Sequence, residues 1–440
     1  MVESGTGAGS RLSSRTWLVI VLVAACGQIA WAVENNFFNL FIQDAFGASL
    51  NDIALMVSAS ALTATASTLV VGAWSDRVGR RKVFVCLGYV IWGFTILAFA
   101  ELQRVSTVLA GEAAAAASLG VTLTIIFDCI MTFFGSGAND ACFNAWVTDI
   151  TDDTNRGRVE GVNSAMPLLS MLVVFGGAMF LMSTNAAGVV TYDYHTFFLI
   201  IGGVVIAVGI LSALLMDESY PTPNRDKAFV SSLAQGFKPS MARENRRLYL
   251  VLLGYLVFAT AMQVFMPYYV LYLRLPNVLS DAYVFVMAPG IVIAALFTIV
   301  YGRRVDRVGF SKSVIVPLVL FFVGCVLLTL SPAMPIVFAG SVLMLSGYLS
   351  AVACFAAEVR NNTPLDCVGM LQGVRIFAVV LVPMLIGPWI GSLVSASGGA
   401  IAGFGVAGDG FTPSSMIFLA GAIVSLVCIP VLACIRKTQQ

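Results

Sequence analysis

Twelve stretches of this chain are too long and too apolar to belong to a water-soluble fold. They fall at about 16–42, 50–74, 82–100, 117–149, 159–183 and 194–216, then at about 247–273, 279–302, 313–331, 334–358, 367–396 and 413–435. Roughly 20 apolar residues rising 1.5 Å each cross a bilayer, and a helix satisfies its own backbone where no water can. The runs are also longer than the roughly 10-residue alternating segments of a membrane barrel. Only 11% of the 440 residues are charged, against about 25% in a soluble chain. The expected fold class is an all-α membrane protein with twelve transmembrane helices.

The runs form two sets of six, separated by a polar segment that carries Pro221, Pro223 and Pro239. The expected organisation is a disordered, Gly/Ser-rich N-terminus (1–15), one six-helix bundle (16–216), a linker (217–246), a second bundle (247–435) and a short tail (436–440). The first run is too long for a signal-peptide core and is read as a retained span. Of the 24 Lys and Arg residues, Arg104 and Arg274 fall on one side and Arg375 falls within a span, which leaves 21 on the other side. Basic loops stay in the cytoplasm, so both termini and the linker are expected to be cytoplasmic. The expected location is the plasma or inner membrane.

Several functions are disfavoured by what the sequence lacks. No charge run suggests nucleic-acid binding. Most of the nine cysteines lie inside apolar runs, with no metal-ligand spacing and a single histidine, His195. No P-loop, H-E-x-x-H or G-x-S-x-G pattern occurs. Neither an enzyme nor a cofactor is expected, and the short external loops argue against a receptor.

A charged turn occurs twice, 230 residues apart. Gly72, Asp76, Arg77, Val78, Gly79 and Lys82 follow G-x3-D-R-V-G-x2-K, and so do Gly302, Asp306, Arg307, Val308, Gly309 and Lys312. Each copy joins two spans at the cytoplasmic face, where the second glycine suits a backbone with positive φ and the aspartate suits a pair with an adjacent Arg or a helix cap. Recurrence at matched places means the membrane domain is built twice, as in secondary transporters.

This turn resembles the loop 2–3 signature of the major facilitator superfamily, G-x3-D-R-x-G-R-R/K. The first copy matches almost fully; the second has Phe310 and Ser311 in place of the paired arginines. The resemblance implies two six-helix bundles about a central cavity and alternating access. It also implies a gating role for Asp76, Arg77, Gly79 and Arg80, and for Asp306, Arg307 and Gly309 in the second copy.

Polar groups at membrane depth are costly and mark candidate sites. Ser136, Asp140, Asn144 and Thr148 recur every four residues in span 4, with Asn139 beside them, and Asp140 falls about 14 Å from the inner end. Asp140 is read as a cation- or substrate-binding carboxylate, with a structural ion pair as the alternative. Arg375, one turn after Gln372, lies about 13 Å into span 11 and needs a partner, either Asp140, Glu358 or the solute. In span 1, Gln28, Trp31, Asn35 and Asn39 share a face that suits a polyhydroxyl ligand. Glu34 beside them is read as a proton carrier or an outer gate. Gln263 is the deepest polar residue of span 7, whose Tyr268, Tyr269 and Tyr272 read as interfacial belt. Asp128 is expected near the outer interface. Glu358 is expected to form a gating pair with Arg360 or Arg375. Pro167, Pro383 and Pro388 are kink candidates in spans 5 and 11.

The stretch from Asn139 and Asp140 through Asp153, Arg156 and Arg158 resembles span 4 and loop 4–5 of the glycoside–pentoside–hexuronide:cation symporters. That resemblance implies a sugar and cation role for Asp140. Those carriers place paired acidic residues in span 2, whereas span 2 here has only Asp52, at its outer mouth. The expectation is therefore a secondary transporter of a sugar, glycoside or similar polar metabolite, working as a monomer in the lipid bilayer. A proton is the expected coupling ion, with sodium as the alternative. The competing reading is an exporter of an amphipathic solute, although the drug-antiporter Gly-Pro signature is missing from span 5.

Overall fold

The computed structural model describes residues 12–152, 155–184, 190–218, 236–364, 368–397 and 405–437. Among these, twelve helices are long and apolar enough to cross a membrane: spans 1 to 6 at Ser14–Phe46, Leu50–Val78, Lys82–Ala110, Ala113–Ile150, Gly161–Met179 and Tyr194–Leu215, and spans 7 to 12 at Arg246–Leu273, Ser280–Arg304, Phe310–Leu330, Met334–Asn362, Gly373–Ala396 and Met416–Lys437. The expected helix count and class therefore hold. The disordered N-terminus expected at 1–15 lies largely outside the described residues, as does most of the linker. A two-stranded antiparallel ribbon, Met182–Thr184 with Val190–Tyr192, stands on the outer side between spans 5 and 6.

Four spans depart from regular α-helix, and three of them do so at the sequence's polar clusters. Span 1 widens into a π-helical turn at Glu34–Phe38, span 4 at Ser136–Phe143 and span 11 at Phe377–Leu381. Span 7 breaks after Gln263 and resumes at Met266, with Pro267 in its first turn. A wide turn leaves carbonyls without their usual i+4 amide, which lipid cannot supply. In span 1 the asparagines make up part of that loss. Asn35 Nδ2 donates to Trp31 O (2.8 Å), Asn36 Nδ2 to Ala32 O (2.8 Å) and Asn39 Nδ2 to Asn35 O (3.1 Å). Pro167 and Pro388 lie inside helices as expected, whereas Pro383 only opens the helix that follows the wide turn.

Both repeated turns use glycine for the reason read from sequence. Gly79 has φ 68° and Gly309 has φ 81°, a region that side chains with a Cβ rarely enter. The arginine that does the pairing differs from expectation. Arg77 and Arg80 are exposed. Arg81, one residue on, is buried and meets Asp76 at 2.5 Å, Asp149 at 3.3 Å and Ser75 Oγ at 2.6 Å. It thereby ties the span 2–3 turn to the end of span 4. The amides of Arg81 and Lys82 donate to Glu218, which anchors the start of span 3. In the second copy Ser311 stands where Arg81 would be, and its carbonyl accepts instead from Arg436 (2.9 Å). The side chain of Asp306 lies outside the described residues, and Arg307 is exposed. Arg81→Ala should therefore cost about 2 kcal/mol through lost charge-assisted hydrogen bonds. Arg80→Ala should stay within about 0.5 kcal/mol of wild type. Thermal unfolding of the two variants in detergent checks the order.

The two halves are joined by polar links on the outer side. Asp44, near the end of span 1, pairs with Arg274 at 3.0 Å and accepts from Tyr194 OH at 2.6 Å, while Arg274 lies 5.4 Å over the Tyr192 ring. Tyr192 and Tyr283 bond through their hydroxyls. Leu50 N donates to Gly410 O (2.9 Å), Gln43 to Phe411 O, and Ser392 Oγ to Asn51 Oδ1 (2.6 Å). The glycine-rich loop after span 11 is thus part of the seal. Asp409 holds its shape by accepting from Phe411 N and Thr412 N, and those bonds keep the Asp409 carboxyl below the usual carboxylate range. Tyr268, expected at the interface with water, is buried and donates to Pro388 O (2.8 Å). Tyr269 and Tyr272 are buried as well. Among the described residues the ion pairs near the inner ends, Arg81 with Asp76 and Asp149 and Arg247 with Glu358, each stay within one half.

Candidate functional site

Beneath the outer seal lies a cavity of about 340 Å³ between the halves. Span 1 supplies Gln28, Trp31, Glu34, Asn35, Asn36 and Asn39, and span 2 supplies Met56, Val57 and Ser60. Asp128 comes from span 4, Gln263 and Met266 from span 7, Tyr348 from span 10 and Met384 from span 11. The wide turn in span 1 is what presents three consecutive polar residues, Glu34 to Asn36, to one space. A regular α-helix would turn successive residues about 100° apart.

The chemistry centres on a layer about 15 Å below the outer end of span 2, reckoned from Leu50 to Ser60. Glu34 Oε1 accepts from Ser60 Oγ (2.8 Å) and Thr132 Oγ1 (3.1 Å), and those hydroxyls lie 2.8 Å apart. Asp128 is 1% exposed and belongs to the same cluster, close enough to Glu34 for direct electrostatic coupling. Three acceptors of the cavity lining have no hydrogen-bond partner although they are buried: Glu34 Oε2, Asn39 Oδ1 and Asp128 Oδ1. Each asparagine amide gives one bond to a backbone carbonyl and keeps a second N–H, so the polar wall offers donors as well as acceptors. Two buried carboxyls side by side cannot both carry charge cheaply. The layer is therefore suited to hold a proton, a cation or a ligand's N–H and O–H groups.

This arrangement corrects several expectations. Asp128, expected near the outer interface, is buried within the cavity wall because span 4 is 38 residues long and the residue lies well inside it. Asp140 does not line the cavity. It lies twelve residues further along span 4 than Asp128, on the inner side, with Trp31 and Ser136 as neighbours and close enough to Glu34 to interact electrostatically. Its carboxylate accepts from Asn139 Nδ2 (2.9 Å), while Asn139 Oδ1 accepts from Tyr89 OH (2.9 Å). Gly27 makes room for this network, since a Cβ there would stand 2.4 Å from Asn139 Oδ1. Asn144 donates to the carbonyl of Asp140 and is exposed with Thr148 toward the inner side.

Arg375 pairs with neither Asp140 nor Glu358. It is half-buried close to Tyr255, and the side chain of Gln372 lies outside the described residues. Glu358 is 6% exposed and pairs with Arg247, which donates from Nε (3.1 Å) and Nη2, while Asn362 Nδ2 adds a third bond (2.9 Å). The partner is therefore Arg247, at the start of span 7, rather than Arg360 or Arg375. Gln28, Trp31, Asn35 and Asn39 all face the cavity, and Gln263 faces them from span 7.

Ser60 and Thr132 were not read as site residues and Asp128 was placed at the outer interface, though a signal was present. The four-residue stripe on span 4 continues backward from Ser136 through Thr132 and Asp128 to Thr124. The wide turn at Ser136–Phe143 divides that stripe, so its outer part serves the cavity and its inner part serves the Asn139–Asp140 network.

Solved structures share the fold at low sequence identity. A nucleoside transporter aligns with a TM-score of 0.70 at 11% identity, covering 95% of this chain and 99% of its own. A bacterial homologue of the human lysosomal transporter Spinster, inward-facing and unoccupied, aligns at 0.69 and 16%, covering 98% of both chains. The xylose transporter of E. coli, in a partially occluded inward-open conformation, aligns at 0.66 and 14%, covering 94% of this chain and 97% of its own. No curated protein matches the sequence. The sequence model of the Major Facilitator Superfamily matches residues 20–295. The duplicated turn, the twelve spans and that match together place this multi-pass membrane protein in the major facilitator superfamily, as a transporter rather than an enzyme.

Proposed function

We propose that the chain is a proton-coupled secondary transporter that moves a small solute bearing N–H or O–H donors through the central cavity by alternating access. The observation that carries this reading is the set of three buried acceptors without a partner among the described residues, on Glu34, Asn39 and Asp128, all of them residues that line one cavity between the halves. Glu34 and Asp128 hold the coupling proton. Span 2 adds a hydroxyl, Ser60, and no carboxylate to this layer, which favours a proton over sodium. Asp140 and Asn139 set the packing of spans 1, 3 and 4 below the cavity. Asp76, Arg81 and Asp149 hold the inner gate, with Glu358 and Arg247 at the matching end of the second half. A sugar or glycoside, taken up by symport, belongs to the solute class named, and the Gln28, Trp31, Asn35 face supports it. Export of an amphipathic solute is favoured by the methionines of the opposite wall. The setting is the plasma or inner membrane, with one chain as the working unit.

Purified protein in vesicles with an imposed pH gradient should accumulate at least one member of a panel of sugars, nucleosides and amines, and a protonophore should abolish the effect. Uptake indifferent to the protonophore would refute the proton.

A further inference from the structure

The cavity wall is divided by chemistry. Glu34 and Asp128 supply carboxyls and Gln28, Asn35 and Gln263 supply amides, while Trp31 and five methionines, Met56, Met171, Met262, Met266 and Met384, make up much of the apolar lining. Among the described residues no Lys, Arg or His lines the cavity. An anion would meet two carboxyls and no cation. A polyhydroxyl solute would bond to the carboxyls and amides but would gain little from the methionine surfaces. An ion with a delocalised or alkylated positive charge meets all of these surfaces at once. Its charge faces the carboxyls, aromatic and thioether groups are polarizable partners for it, and flexible methionines shape themselves to varied apolar bodies.

We infer that the cavity takes an amphipathic organic cation, such as a protonated amine or a quaternary onium ion, with its charge held by Glu34 and Asp128. The inference rests on the transporter reading and changes its solute from a hydrogen-bond donor to a cation. Of the elements that surround the carboxyl pair, span 1 presents Glu34, span 4 presents Asp128 with Asp140 and Cys129 nearby, and span 10 presents Tyr348; spans 2, 5, 7 and 11 present no charged lining residue. Nothing basic offsets the pair. A monocation that settles on it therefore displaces one proton, and the charge in the site is unchanged.

The test uses tetraphenylphosphonium, a permanent cation, and triphenylphosphine oxide as its neutral counterpart, with full-length protein in detergent. The cation should bind, should release about one proton in lightly buffered solution, and should tighten by about a hundredfold from pH 6 to pH 8. Glu34→Gln and Asp128→Asn should each weaken it by about tenfold or more and remove the pH dependence. The neutral compound should show neither effect. If a variant fails to fold, proton release from wild type still decides. Equal binding of both compounds, or cation binding without proton release, overturns the inference. Driven transport of a neutral sugar with no cation binding also overturns it, yet leaves the transporter reading intact. Cation binding that depends on Glu34, with no solute of any kind transported, sinks the transporter reading and leaves this site standing.

Discussion

Glu34→Gln is expected to abolish pH-driven accumulation of solute while leaving solute exchange across the membrane nearly intact. One proton moved through one pH unit supplies about 1.4 kcal/mol, so a gradient of two units supports accumulation of about a hundredfold. Glutamine keeps the size of the side chain and an acceptor for Ser60 and Thr132, so the packing of spans 1, 2 and 4 is preserved. It removes the group that gains and loses the proton. Accumulation should fall toward equality of inside and outside, and counterflow of labelled solute should persist. Asp128→Asn should behave alike, because the two carboxyls share one layer. Full accumulation in both variants would show that the proton binds elsewhere, with Asp140 the next candidate.

The second large effect is expected at the outer seal. Arg274 is 8% exposed at its side chain and Asp44 is 24% exposed, and the pair bridges the end of span 1 and the end of span 7. Closing pairs of this kind exist in one conformation and are broken in the other, so they bias the equilibrium between the two. A bias of about 1–3 kcal/mol corresponds to roughly a 5- to 150-fold change in the population open to the outside. Arg274→Ala should therefore raise outward opening. The measurement is labelling of Met384→Cys, which lines the cavity, by a membrane-impermeant maleimide from the outer side in a background depleted of native thiols. The labelling rate should rise about tenfold in Arg274→Ala and return toward baseline in the charge swap Asp44→Arg with Arg274→Asp. An unchanged rate would mean that the glycine-rich loop, through Gly410 and Phe411, holds the seal without the ion pair.

What was legible in the sequence follows the range of the physics involved. Spans are local: each is set by its own apolar length, and all twelve were readable. The glycine turns are local too, since Gly79 and Gly309 need positive φ whatever surrounds them. Pairing is not local. Arg80 and Arg81 are adjacent and chemically identical, and only the direction in which the turn aims them decides that Arg81 reaches Asp149, 68 residues away. Glu358 likewise has Arg360 close by in sequence, yet it pairs with Arg247 from span 7, 111 residues away. The site falls between these cases. The polar stripes on spans 1 and 4 were visible, but regular 3.6-residue geometry could not show that wide turns would rephase them. The tyrosines of span 7 misled for a related reason: all three are buried, and the hydroxyls of Tyr268 and Tyr272 reach carbonyls of neighbouring spans rather than the membrane surface.

The central claim is that the Glu34–Asp128 layer binds a proton whose movement is tied to solute movement. It is tested most directly by recording both fluxes at once, with a pH-sensitive dye trapped inside proteoliposomes and a transported solute added outside. The account predicts a change of internal pH that starts with solute movement, scales with it, and is absent in Glu34→Gln although solute still equilibrates. Solute movement without any pH change in wild type, or an undiminished pH change in Glu34→Gln, would contradict it.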